Sequence, residues 1–244
     1  MSVVYNTLII FAYYAIVVAM IPALMKRILR PDNEFIRKFQ HIGYAFSVFF
    51  FIHLFDVWFL ALVPAFVLCV VAFPLLKYFE RFKEYSRFLV DRKRSGGELK
   101  YSLILSQLTF IALITVFWGV LGETYRFIIP VTIMSFGFGD ALAALIGKKF
   151  GRRQTPMPYA DENKTVLGST AMFAASLLSI FLVLLIYTAI LWWVILIIAL
   201  MVAPLSTMLE LYSKNGWDTI TVPFGTAVLL YVSVLMLEWV GVML

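Results

Sequence analysis

Long apolar runs separated by short basic segments dominate the chain. A hydrophobic window predicts eight spans, at about 4–25, 39–55, 57–76, 101–121, 126–147, 166–187, 190–210 and 222–242. The second is short, and the sixth and seventh nearly touch, so Tyr187 to Trp193 must hold a tight turn. The expected fold class is all-α: a polytopic membrane protein of about eight transmembrane helices, with residues 1–244 forming a single integral membrane domain. No internal repeat and no low-complexity tail interrupts this pattern. No basic region precedes the first apolar run and no small-residue cleavage site follows it, so that run is expected to be retained as a span.

The basic residues orient the spans. Lys and Arg occur five times from Lys26 to Lys38, eight times from Lys77 to Lys100, five times from Lys148 to Lys164, and once at Lys214. Of the 20, only Arg126 falls on the other side. The positive-inside rule therefore assigns segments of about 26–38, 77–100, 148–165 and 211–221 to the cytoplasm, with both termini on the non-cytoplasmic side. The alternation closes only for an even number of spans, which supports the count independently of hydropathy.

Composition sharpens the class. The chain is 63% hydrophobic and 14% charged, with a mean hydropathy of +0.95, which excludes a soluble globular domain. A single cysteine, Cys69, excludes a disulfide framework and a cysteine metal site. The net charge of +6 points to anionic headgroups and an anionic substrate rather than to nucleic acid. From Lys77 to Lys100, Tyr78, Phe79, Phe82, Tyr85, Phe88 and Leu89 recur at helical spacing among basic residues. That stretch reads as an amphipathic helix on the inner leaflet, or as a charged extension of the third span.

Polar residues gather at span ends on one side, in four stretches. In RKFQHIGYAF, Arg37 and His41 stand four apart on one helix face, with Lys38 beside them. Such a face suits either phosphate capture or membrane anchoring. In SFGFGDALAALIGKKFG, the residues Asp140, Ala144, Gly147 and Gly151 form a narrow face of small side chains carrying one carboxylate. Small residues admit a neighbouring helix or a ligand, and Gly137, Gly139 and Gly147 also suit helix packing alone. A carboxylate near hydrocarbon costs roughly 2.5–3.5 kcal/mol on insertion scales, which marks Asp140 as functional. In DENKTVLGSTAMF, Lys164, Thr165, Gly168 and Ser169 stand at a helix start, where free amides favour phosphate. Asp161 and Glu162 beside them read as metal ligands or as solvated loop acids. In ELYSKNGWDTITVP, Glu210 and Asp218 flank a short loop that lets both point at one site. For Asp218 a helix-capping role competes. Magnesium is held by one or two carboxylates with substrate phosphates, so Asp140, Glu210 and Asp218 are the candidate ligands. Arg37, Lys38 and Lys164 would offset the remaining phosphate charge, which is the equipment of phosphoryl or nucleotidyl transfer.

The segments RKFQH, GFGDALAALIGKKFG, KTVLGS and DTITVP resemble, in order and spacing, the motifs of the family of dolichol kinase, phytol kinase and yeast CTP-dependent diacylglycerol kinase. That family is more distantly related to phosphatidate cytidylyltransferases. SGGELKYSL resembles the segment before a middle span in the phytol-kinase branch. The likeness runs from about Arg37 to Pro223 and implies a polytopic enzyme that moves phosphate from CTP, or a related nucleotide, to a long lipid alcohol. By position it implies roles for Arg37, Lys38 and His41, for Gly139, Asp140 and Gly147, for Lys164, Gly168 and Ser169, for Asp218, Thr221 and Pro223, and for Glu98. Where the family often has Asn after the last acid, this chain has Thr219. The short length looks more like the phytol-kinase branch or a prokaryotic polyprenol kinase than a eukaryotic dolichol kinase.

The expected activity is thus a CTP-dependent lipid kinase with its active site on the cytoplasmic face. Asp140, His41 and Lys164 are its expected catalytic groups. Arg37, Lys38, Gly139, Gly147, Lys164, Gly168 and Ser169 are expected to bind nucleotide, and Asp140, Asp218 and Glu210 to hold Mg²⁺. Its expected partners are CTP, a lipid alcohol from the bilayer and membrane lipids, and not nucleic acid. A cytidylyltransferase would use the same groups and release pyrophosphate. A transporter would need polar residues through the midplane, whereas most of these spans are free of charge.

Overall fold

The computed structural model describes residues 2–79, 98–155, 164–213 and 216–241, with backbone alone at 72–73, 75–77, 79 and 98–102. The inner-leaflet helix expected within 77–100, the side chain of Glu98, and Asp161 and Glu162 fall outside the described side chains. The described residues form helices joined by short loops, without a β-strand. Among them, six helical stretches are long and apolar enough to cross a membrane: Val3–Ile28, Leu103–Val120, Glu123–Phe150, Val166–Tyr187, Trp192–Tyr212 and Asp218–Trp239. Trp58–Val71 is a shorter apolar helix. The second predicted span falls on two shorter helices and does not meet that standard. Its leading helix, Asn33–Phe46, carries Glu34, Arg37, Lys38, Gln40 and His41.

Contacts group the chain into two compact units, Met1–Gly119 and Val120–Leu244. In the first, α1 (Val3–Tyr13) passes through a π-helical turn, Tyr14–Met20, into α2 (Ile21–Ile28). The helices α3 (Asn33–Phe46) and α4 (Val48–His53) are separated at Ser47, and α5 (Trp58–Phe79) and α6 (Glu98–Leu113) complete the unit. A π-turn shifts backbone carbonyls out of the regular ladder. The Gln40 amide of α3 donates to the carbonyl of Val18 within that turn, at 3.0 Å. Gly43 makes this approach possible, since a Cβ there would lie 3.3 Å from Val17 Cγ1.

Several polar side chains inside this unit hydrogen-bond one another or the backbone, as exclusion of water favours. The Tyr13 hydroxyl donates to Gly43 O at 2.6 Å, and the Tyr14 and Ser47 hydroxyls meet at 2.7 Å. Ser47 also hydrogen-bonds the Tyr44 carbonyl at 2.6 Å, which stabilises the break between α3 and α4. The Gln107 amide of α6 donates to the Tyr44 hydroxyl. The rings of Tyr14, Tyr44 and Phe110 stack in a row with centroid separations of 5.3 and 5.4 Å. Aromatic packing and hydrogen bonding therefore join α3 to α6 at the same residue, Tyr44.

The second unit is built from α7 (Ile128–Phe150), α8 (Val166–Tyr187), α9 (Trp192–Tyr212) and α10 (Asp218–Trp239). The sixth predicted span coincides with α8, and the tight turn expected between the sixth and seventh lies between Tyr187 and Trp192. α7 packs on α8, α8 on α9, α9 on α10, and α10 returns to α7. Phe136, Met172 and Val222, from α7, α8 and α10, form one buried apolar cluster, with Ala143 and Leu209 packed against it. Gly225 opens α10 for the Leu209 side chain of α9.

In the first unit, Tyr44→Phe should cost about 1–3 kcal/mol, because it strips the buried Gln107 amide of its acceptor. Adding Gln107→Leu to that variant should recover part of the loss. Thermal unfolding of the purified protein in detergent measures both.

Candidate functional site

The site residues of the second unit are positioned by the way α7 meets α8. A Cβ at Gly147 would lie 2.9 Å from Thr165 Oγ1 and 3.2 Å from Gly168 Cα. One at Gly168 would lie 3.0 Å from both the Ala143 carbonyl and Thr165 Oγ1. One at Gly139 would meet Met172 Sδ and, at 2.8 Å, Ser176 Oγ. Gly151 likewise faces Thr165. The packing stripe is thus Gly139, Ala143 and Gly147 on α7 with Gly151 just past it; it shares Gly147 and Gly151 with the stripe expected from sequence and has Gly139 and Ala143 in place of Asp140 and Ala144. The space opened by Gly139, Gly147 and Gly168 is filled by the neighbouring helix. Asp140 sits at the edge of this stripe, half-buried.

Thr165 caps α8: its hydroxyl accepts from Gly168 N–H at 3.1 Å. The strand-like bridge Gln154–Thr165 adds two backbone bonds, Thr155 N–H to Lys164 O at 3.0 Å and Val166 N–H to Arg153 O at 3.1 Å. Two of the first three helical amides therefore already have acceptors. The Val166 and Gly168 amides, at the helix start expected to favour phosphate, thus meet the protein's own oxygens. Ser169 is engaged too, its hydroxyl donating to Thr165 O at 3.1 Å.

What remains at this end is charge. The Lys164 ammonium is ion-paired with the Glu210 carboxylate. Their side chains are 22% and 3% exposed, so the acid lies inside and the base reaches in from the edge. Glu210 follows Leu209, which packs on the apolar cluster. Asp140 lies one turn beyond Phe136, and Asp218 one turn beyond Val222, both toward the same end of the unit. A helical turn advances about 5.4 Å. All three acids therefore lie toward the same end of this unit. Among the described residues, no three His, Cys, Asp or Glu side chains converge as a metal site. Hard carboxylate oxygens suit Mg²⁺ here only where substrate phosphates complete its shell.

Asp218 opens α10 and accepts from the Thr219 N–H at 2.9 Å, so its carboxylate tends the helix start. Thr221 joins the same loop, its hydroxyl 2.5 Å from Ser213 Oγ and 2.9 Å from the Trp217 carbonyl. Pro223, buried within α10, has no N–H to offer the Thr219 carbonyl one turn earlier.

Arg37, Lys38 and His41 belong to the first unit, all on α3. Arg37 is ion-paired at 2.5 Å with Glu34, which the sequence reading did not single out. Lys38 is 4% exposed and lies one turn after Glu34 on the same face. The basic group therefore carries its own internal acid. The i,i+3 spacing of Glu34 and Arg37 is the sequence signal that points to this pair.

Among curated proteins, the chain is similar to a phytol kinase from Synechocystis sp., at 35% identity over 99 residues. The matched stretch covers 41% of this chain and 41% of that protein. No protein-family model matches the chain. No solved structure matches it.

Gly147→Ala should destabilise the protein by about 1–3 kcal/mol, since the added methyl overpacks against Thr165 and the α8 backbone. A lowered melting temperature in detergent, without nucleotide, is the expected result. An unchanged one would return Gly147 to a purely ligand-facing role.

Proposed function

We propose that this chain is a membrane-embedded lipid-alcohol kinase that transfers the γ-phosphoryl group of CTP, or of a related nucleoside triphosphate, to a long-chain prenol-type alcohol. The likeness to a phytol kinase carries the reaction class. The gathering of Asp140, Lys164, Glu210 and Asp218 at one end of a four-helix unit supports it, because phosphoryl transfer depends chiefly on positioned charge.

In this reading all eight predicted spans cross the bilayer, both termini are non-cytoplasmic, and the site opens to the cytoplasm. The acceptor's chain stays in the bilayer and its hydroxyl reaches the inner interface. Its oxygen attacks the γ-phosphorus, the bond to the β-phosphate oxygen breaks, and CDP leaves. Lys164 neutralises charge on the transferred group. Arg37 and Lys38 serve nucleotide binding. His41, or a carboxylate, takes the hydroxyl proton and must come within about 3 Å of it. Asp140, with Asp218, would hold Mg²⁺, which when bound offsets charge on the phosphate oxygens. Gly139, Gly147 and Gly168 serve this site through helix packing, and Ser169 through the cap of α8.

The test is a product assay on the purified chain in detergent with Mg²⁺, γ-³²P-CTP, a panel of lipid alcohols and phosphatidate. Label should move into a lipid alcohol, and Asp140→Asn should reduce this to background while the protein still folds. Full activity in that variant would end the metal-site assignment. Label leaving as pyrophosphate, with phosphatidate alone, would establish a cytidylyltransferase instead.

A further inference from the structure

We propose that Glu210 is the positioning residue of Lys164, the counter-ion that aims its ammonium, rather than a ligand of the metal. The inference rests on the nucleotide-dependent reading above and assigns Glu210 a different part in it.

The local architecture isolates the Lys164 side chain as the one adjustable element. Its backbone is tied by the bond from Thr155 N–H to its carbonyl, and the next amide is tied to Arg153. Thr165 then caps α8 through the Gly168 amide. These bonds leave only the four side-chain torsions of the lysine to be set, and the ion pair with Glu210 sets them. A lysine loses much rotamer freedom when ordered, so a fixed partner before substrate arrives lowers the entropy cost of binding.

The same bonds raise the importance of the lysine's charge. With the Val166 and Gly168 amides already engaged, the start of α8 has little of the anion affinity a bare helix N-terminus would offer. Lys164 places a positive charge at this point. An ammonium has three donors, so it can keep Glu210 and still turn others to phosphate oxygens.

Glu210 is poorly placed as a metal ligand. Its carboxylate is 3% exposed and already accepts from an ammonium. A divalent cation on the same group would stand beside that like charge, where the local dielectric is low and repulsion is strong. Among the described residues it does not join two further ligating side chains.

The experiment compares the full chain in detergent with Glu210→Gln, Glu210→Asp, Lys164→Arg and Asp140→Asn. CTP binding is measured by equilibrium dialysis with and without Mg²⁺, and phosphoryl transfer is titrated with Mg²⁺. Glu210→Gln should weaken CTP binding about tenfold in both conditions, one such step being about 1.4 kcal/mol. It should leave the half-saturating Mg²⁺ concentration of transfer unchanged. Glu210→Asp keeps the charge and should restore most of the binding, which also covers the case in which the glutamine variant fails to fold. Asp140→Asn should instead lose the Mg²⁺-dependent part of binding alone. A tenfold rise in half-saturating Mg²⁺ for Glu210→Gln or Glu210→Asp, with metal-free CTP binding intact, would overturn the proposal and make Glu210 a metal ligand. Unchanged binding and transfer in both Glu210 variants would overturn it too. A wild-type chain that binds no nucleotide would overturn the functional reading itself, a result distinct from either.

Discussion

The close approach of α7 to α8 governs the second unit. Gly147 meets Thr165 and Gly168 with no room for a methyl group, and Gly168 in turn rests on the Ala143 carbonyl. In lipid, where apolar side chains gain little by leaving the solvent, such small-residue contacts are what hold helices together. This contact fixes the height of Thr165 along α7 and, through its cap, the start of α8. Lys164 stands one residue before that cap, so the helix crossing places the lysine within reach of α9 and Glu210. The charged pair is a consequence of the glycine contact several residues away.

Both units obey the same constraint on polar groups, in different ways. In the first, neutral groups form a chain from Tyr14 through Ser47 to Tyr44 and Gln107, and the π-turn carbonyl of Val18 finds Gln40. In the second, hydroxyls pair across helices, as Thr226 does with Ser206 at 2.9 Å. Charge also meets helix ends, where Lys164 pairs with Glu210 and Asp218 accepts from the Thr219 amide of α10. Burying a carboxylate beside an apolar plug is costly unless a cation meets it. That makes the Lys164–Glu210 pair a feature the fold cannot discard piecemeal, and it joins the start of α8 to the end of α9.

Much of this protein was legible in its sequence. Uninterrupted apolar runs of about 20 residues can satisfy their backbone in lipid only as helices, so every predicted span overlaps a helix and α8 matches its predicted bounds. The second predicted span was legible as helix, but its break at Ser47 into α3 and α4 was not. Acids and bases clustered at the ends of apolar runs were legible as candidate site residues, since they need a reason to be there. Their partners were not. Gly139 and Gly147 read as ligand-facing or as a packing face, and only the neighbouring helix showed what they meet. The amides at the start of α8 read as free, and only the 151–155 segment and the Thr165 hydroxyl filled them. Lys164 and Glu210 lie 46 residues apart, and no local spacing rule links positions that far apart. Periodicity along the chain determines which residues lie on a helix and which face they share. Which residue meets which across helices is decided by packing, a property of the three-dimensional arrangement alone.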